Sequence, residues 1–252
     1  MKKMRAAALL NRIIRFYRKT KYTQRLFITA RTLRMAGSDR VIEYGWVLSN
    51  LGDAQRVLDI GSTGSLLPIQ LAGLGYDVYS IDLRNYKQYH GLIHPNMKFI
   101  QGDIRCTAFP DEFFDIVIAV STIEHIGTRD YDNVIIEEDG DVKAVREVAR
   151  ILKTDGRFIF TVPYKCEMAG LIRQEAIETM KRQKLAKTVV QRPPPLRIYN
   201  EYTIRERLLK GCFKVEKEKY FYKRKGFWYP APKDKIGRLK GERLACIVSR
   251  KI

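Results

Sequence analysis

Paired cysteines are missing from this chain. Cys106, Cys166, Cys212 and Cys246 stand far apart in 252 residues, so neither a zinc cluster nor a disulfide framework is indicated, and a reducing, cytoplasmic setting is the expectation. Histidine is scarcer. Of the three, His90 and His94 have helical spacing, but Gly91 and Pro95 argue against a helix there, and no metal is expected. No apolar run approaches the roughly twenty residues of a bilayer span, and the first residues lack the apolar stretch and cleavage site of a secretory leader. A Gly-x-Gly-x-x-Gly fingerprint is also absent, which argues against a nicotinamide-dependent reductase.

Acidic residues are scarce at both ends. The net charge is +19; residues 1–39 carry 11 Lys and Arg against 1 Asp or Glu, and residues 164–252 carry 24 against 9, whereas residues 40–163 carry 12 against 18. Such basic flanks attract anionic partners: nucleic acid, acidic glycans or an anionic membrane. In the first flank Leu9, Leu10, Ile13, Ile14 and Tyr17 recur at helical spacing, with Arg5, Arg12, Arg15 and Lys19 on the remainder. This basic amphipathic helix caps its own domain, lies peripherally at the inner membrane surface, or contacts RNA. A hydrophobic content of 45% fits a globular protein long enough for one domain with extensions. The expected boundaries are a helical extension over 1–37 and a main domain over 38–252.

What the middle of the chain does contain is an ordered set of strand ends. Arg56-Val-Leu-Asp-Ile60 is short and apolar, suited to a buried parallel strand, and Gly61 and Gly64 allow the tight turn after it. Leu66, Leu67, Ile69, Leu71 and Leu74 then read as a helix. Asp77-Val-Tyr-Ser-Ile-Asp82 is a second strand, closed by an acid about twenty residues past the turn, where open α/β sheets hydrogen-bond ribose hydroxyls. Met97 to Asp103 and Phe114 to Val120 repeat the pattern, the latter running into Ser121-Thr-Ile-Glu-His-Ile126. Ligands of such sheets sit at these carboxyl ends.

With the Asp59-x-Gly61 turn, the Gly102-Asp103 pair and Glu124-His125-Ile126, the chain resembles the class I S-adenosylmethionine (SAM) dependent methyltransferases, over roughly 40–163 and more weakly over 196–252. Within them it is similar to the broad small-molecule type, including members associated with surface-polysaccharide biosynthesis. The resemblance implies an α/β, Rossmann-like, seven-stranded doubly wound sheet with an antiparallel last strand. It implies SAM as cofactor, held by Asp59, Gly61, Ser62, Gly64, Asp82, Leu83, Asp103, Ile104 and Ser121. The usual turn, Asp-x-Gly-x-Gly-x-Gly, is altered: Thr63 and Ser65 stand at the second and third glycine positions. Side chains there limit how closely the methionine moiety approaches the backbone.

Methyl transfer to a hydroxyl gains from a general base within hydrogen-bond reach. His125 is the candidate, with Glu124 to orient it; packing or shaping the cofactor pocket is the competing role for this segment. Ser38 reads as the N-cap of a helix before the first strand, in which Tyr44 and Trp46 either line the pocket or pack the core. Asp141 reads as the N-cap of the helix that ends near Leu152. Residues 164–198 are expected to form a lid beside the acceptor site, with Tyr164, Arg197, Tyr199 and Tyr202 as a substrate wall or simply as packing. Residues 202–211 read as a helix ending at a glycine. The last two strands are expected over Phe213–Tyr222 and Leu244–Ser249, with Lys223-Arg-Lys-Gly-Phe-Trp-Tyr-Pro230 either stacking on RNA bases or sugar rings or forming a plain hairpin tip.

The leading expectation is therefore a methyltransferase acting on oxygen of a sugar, glycan or other small hydroxylated acceptor. An RNA methyltransferase and a non-catalytic scaffold with the same fold stand beside it, and neither the acceptor nor the oligomeric state is legible.

Overall fold

A computed structural model describes residues 38–84, 94–128, 136–165 and 196–252. The basic helix expected within 1–37, His90 and the 166–195 part of the expected lid lie outside the described residues. The chain divides into two compact units, 1–41 and 42–252.

In chain order the elements are α1 (Arg40–Leu48), β1 (Arg56–Ile60), α2 (Leu67–Gly73), β2 (Asp77–Asp82), β3 (Met97–Gln101), β4 (Phe114–Val120), a short 3-10 turn (Ile123–His125), α3 (Gly140–Ile151), β5 (Leu152–Pro163), a π-helical segment (Thr203–Leu209), β6 (Phe213–Arg224), β7 (Phe227–Ala231), α4 (Lys233–Ile236) and β8 (Arg243–Lys251). The strands form one sheet in the order β3-β2-β1-β4-β5-β8-β6-β7. β1 to β5 run parallel, and β8 is antiparallel to both β5 and β6. The expected antiparallel last strand is present.

The sheet has eight strands rather than seven. Lys225 and Gly226 both have positive φ, 51° and 82°, the geometry of a two-residue hairpin turn whose twist matches the strands it joins. Phe227–Ala231 therefore folds back on β6, pairing Tyr222 with Tyr229 and Arg224 with Phe227. The stretch 223–230 is thus a hairpin whose second arm is a full strand.

Central strands are apolar because both their faces are covered. Val57 and Leu58 of β1, Ile116 to Ala119 of β4 and Phe158 to Phe160 of β5 are fully buried. Helix α2 starts on Pro68 near its first turn, where a missing N–H costs nothing. Beside β2, Tyr79 meets Phe109, Phe113 and Phe114 edge-on, with ring centroids 5.4–5.8 Å apart. Trp46 packs with Trp228 against Phe221, Leu244 and Cys246 on a smaller cluster, whereas Tyr44 is buried toward the carboxyl ends of the strands.

Asp141 is not the cap of α3. The residue before that helix is Asp139, which makes no side-chain cap bond. Asp141 is instead fully buried, accepting from the Tyr199 hydroxyl at 2.9 Å and from Arg207 Nε and Nη2 at 3.0 and 2.8 Å. A phenol and a guanidinium far downstream claim it for the interior.

Candidate active site

The carboxyl ends of β1, β2 and β4 converge on one rim of the sheet. Gly61 has φ +71°, and its N–H donates to Ile81 O at 2.9 Å, so the chain turns sharply as β1 ends. A Cβ at Gly61 would collide with the Thr122 side chain, which itself donates to Ile60 O at 3.1 Å. Gly64 also has positive φ, +78°. Asp82 closes β2 with its carboxylate nearly buried: Oδ2 accepts the Thr63 N–H at 2.9 Å and Oδ1 the Arg84 N–H at 3.0 Å. Thr63, which stands where the resembled turn has glycine, thus ties the β1 turn to the acid of β2 through its backbone.

Ser65 is likewise engaged. Its Oγ pairs with the Tyr44 hydroxyl at 2.7 Å and accepts the Leu67 N–H at 3.1 Å, fastening the turn to α1 and starting α2. Asp59 and Ser62 are buried, the Ser62 Oγ accepting from Ser80. Leu83 is exposed and Ile104 buried.

Asp103 has a partner that nothing in its spacing announces. Arg105 folds back on it, with Nε 3.0 Å from both carboxylate oxygens, Nη2 2.6 Å from Oδ2 and its own N–H 2.9 Å from Oδ1. Arg105 also reaches Glu137 Oε2 at 3.1 Å. Partial burial raises the Asp103 carboxyl, but the side-chain and backbone hydrogen bonds of Arg105 outweigh it and hold the group below its ordinary value.

After β4, Ser121 is left-handed at φ +43°, a strained conformation for a residue with a Cβ. Its hydroxyl donates to Glu43 Oε1 at 2.5 Å, and the Thr161 hydroxyl donates to the same oxygen at 2.6 Å. Glu43 is fully buried on α1 and escaped the sequence reading. An acid four residues before Val47, on the apolar stripe of that helix, was the available signal.

Beyond Ser121 the 3-10 turn carries Glu124 and His125. The Glu124 side chain is almost wholly buried and that of His125 17% exposed, with Glu124 Oε1 3.9 Å from His125 Nε2. That is Coulombic reach rather than a hydrogen bond. The imidazole keeps part of its surface exposed, with Nδ1 buried.

The four residues expected as a substrate wall separate. Tyr164 is buried edge-on against Tyr220, centroids 4.8 Å apart. Tyr199 is 2% exposed; burial first, and then Asp141, pushes its phenol far up from the ordinary value. Arg197 is spent on backbone carbonyls of Ile126, Glu137 and Glu138. Only Tyr202, 64% exposed, presents its ring to solvent. The first three belong to the framework because each finds an interior partner that solvent would not replace.

These residues fit an adenosyl ligand. Each Asp82 oxygen receives one backbone N–H, Arg84 Nε standing 3.6 Å from Oδ1, so that Oδ2 keeps a lone pair for a ribose hydroxyl, and the positive φ values of Gly61 and Gly64 bring bare backbone to the rim. Asp103 fits less well as an acceptor for adenine, because Arg105 takes both its oxygens.

Residues 58–160 match the model of a family described as a methyltransferase domain. The mouse (Mus musculus) eEF1A lysine and N-terminal methyltransferase is 30% identical over 111 residues, 42% of this chain and 16% of that protein. The ubiquinone biosynthesis O-methyltransferase of Bradyrhizobium diazoefficiens is 36% identical over 75 residues, 28% of this chain and 30% of that one. The chain thus spans under a third of the length of these relatives. Among solved structures, Burkholderia thailandensis 1,6-didemethyltoxoflavin-N1-methyltransferase, with bound S-adenosylhomocysteine, superposes with a TM-score of 0.56 at 15% identity, covering 99% of this chain and 89% of that one. Strand order, rim and matched segment thus agree: residues 58–160 match a methyltransferase domain, on a fold shared with a methyltransferase that binds S-adenosylhomocysteine.

Proposed function

We propose that the protein transfers a methyl group from SAM to a hydroxyl oxygen of a small acceptor, a sugar or glycan in the first instance. The observation that carries this reading is His125, a partly exposed imidazole beside a buried carboxylate just after β4, at the strand-end rim that also carries the Asp82 acid. When bound, SAM supplies an electrophilic methyl group for in-line displacement. Asp82, with the Gly61 and Gly64 turn, holds the adenosyl end. His125 Nε2 accepts the proton of the acceptor hydroxyl as the new bond forms, and Glu124 nearby stabilises the imidazolium. The relative named as an O-methyltransferase supports oxygen, while the one named as a lysine and N-terminal methyltransferase makes an amine the competitor.

Residues 164–198 belong to this proposal as a lid and 1–37 as a basic extension. The net charge of +19 supports an anionic acceptor or an anionic surface nearby. Exposed Phe227 and Tyr229 beside Lys223 and Arg224 favour RNA as the second reading. No helix among the described residues is long and apolar enough to cross a membrane.

The test is calorimetric titration with SAM and S-adenosylhomocysteine, followed by mass spectrometry of sugars, phosphorylated sugars, peptides and RNA incubated with labelled SAM. Binding of neither ligand would remove the enzyme reading in favour of a scaffold. His125→Gln is expected to keep S-adenosylhomocysteine binding and lose at least about 100-fold in turnover; unchanged turnover would remove the base.

A further inference from the structure

Every main-chain carbonyl around His125 is taken. Its own oxygen accepts the Thr128 hydroxyl at 2.7 Å. The oxygen of the preceding residue, Glu124, accepts the Arg197 N–H at 2.9 Å. The oxygen of the following residue, Ile126, accepts Arg197 Nη1. One residue, 71 positions beyond Ile126 in the chain, therefore holds the peptide groups on both sides of the imidazole.

The remainder of the guanidinium explains why an arginine is there. Nη2 donates to Glu137 O at 2.9 Å and Glu138 O at 3.0 Å, joining the chain before α3 to the His125 turn. Those two segments already touch: Gly127 has φ +76°, and a Cβ at Gly140 would lie 2.9 Å from Gly127 Cα. A planar fork can serve three carbonyls that diverge in this way, whereas an ammonium cannot reach them together. The charge is offset by Asp141, whose Oδ1 lies 3.7 Å from Arg197 Nε and which also binds Arg207 and Tyr199. Behind Arg197 the chain is fastened to the end of β5, where Tyr199 N–H donates to Pro163 O at 3.0 Å and Lys165 N–H to Tyr199 O at 2.8 Å.

We propose that Arg197 is a positioning residue for His125, fixing the 124–126 turn from both sides so that the imidazole is held toward the rim, and that it is not a substrate contact. This rests on the reading of His125 as the base. The consequence is that chain reaching the rim after the 166–195 segment controls the presentation of the base.

The presence of only three histidines allows a test on the whole chain without knowledge of the acceptor. Arg197→Lys keeps the charge and removes the fork. Long-range proton–nitrogen spectra of the imidazoles, recorded across pH, are expected to move the His125 midpoint by at least about half a pH unit and change its tautomer balance, leaving His94 in place. A midpoint within about 0.1 unit of the native one in the folded variant overturns the proposal. If that variant does not fold, Asp141→Asn, which withdraws the counter-charge but leaves an acceptor for Tyr199, is read in the same way. In the native protein, a scalar coupling across the hydrogen bond from Arg197 N to Glu124 C′ is expected; its absence while the Gly61 to Ile81 coupling is seen also overturns it. Failure of the methyltransferase reading shows separately, as native protein that binds no S-adenosylhomocysteine.

Discussion

Glu43 and Ser121, 78 residues apart in the chain, are joined by a 2.5 Å hydrogen bond inside the domain, and Thr161 shares the same carboxylate oxygen. A helix that precedes the sheet thus fastens the ends of its two central strands. Replacing Glu43 by Ala leaves the buried Thr161 hydroxyl and the half-buried Ser121 hydroxyl without this acceptor, and the expected loss is about 1–3 kcal/mol in urea unfolding. Because that bond is one of those holding the left-handed Ser121 at the rim, S-adenosylhomocysteine affinity measured by calorimetry is expected to fall as well, with Glu43→Gln falling less than Glu43→Ala.

Asp82 serves two backbone donors and, by its place at the end of β2, the ligand. Asp82→Ala is expected to weaken S-adenosylhomocysteine binding at least about tenfold, or about 1.4 kcal/mol. Calorimetry at constant pH checks this. A truncated ligand lacking the ribose hydroxyls should lose little further affinity in that variant.

Gly61 combines φ +71° with the Thr122 side chain in the space a Cβ needs. Gly61→Ala therefore meets both a backbone penalty of about 1–2 kcal/mol and a steric one. The expected outcome is a melting temperature several degrees lower and no detectable cofactor-analogue binding. Gly73→Ala, where nothing lies within 4 Å, should be harmless in both measurements.

The Asp103–Arg105 pair gives a pH signature. The folded carboxyl ionises below its ordinary 3.8, so its contribution is complete above that value and is lost as pH falls through the folded one. Unfolding free energies of the native protein should therefore drop more steeply below about pH 4 than those of Asp103→Asn, the two curves running parallel near neutrality.

Fold and site differ in how they are written in the chain. β1, β2 and β4 end where their apolar runs meet Gly61, Asp82 and Ser121, because a strand covered on both faces must be apolar along its length. The rim is legible for the same reason. β7 was missed because its turn, Lys225-Gly226, sits between aromatic and basic residues rather than inside an alternating pattern. Asp141 reads as a cap, and Arg197 and Tyr199 stay open between substrate wall and packing, because a polar residue near a helix start or after a proline run reads as surface. Their partners are 58–71 residues away, and no local rule reports them.

The bridge between Tyr164 and Tyr199, with its flanking Lys165 to Tyr199 bond, has an engineering consequence. Departure from β5 and return to the body are knotted at one point, so the closure entropy of whatever runs between them is met locally, and changes in its length cost the sheet little.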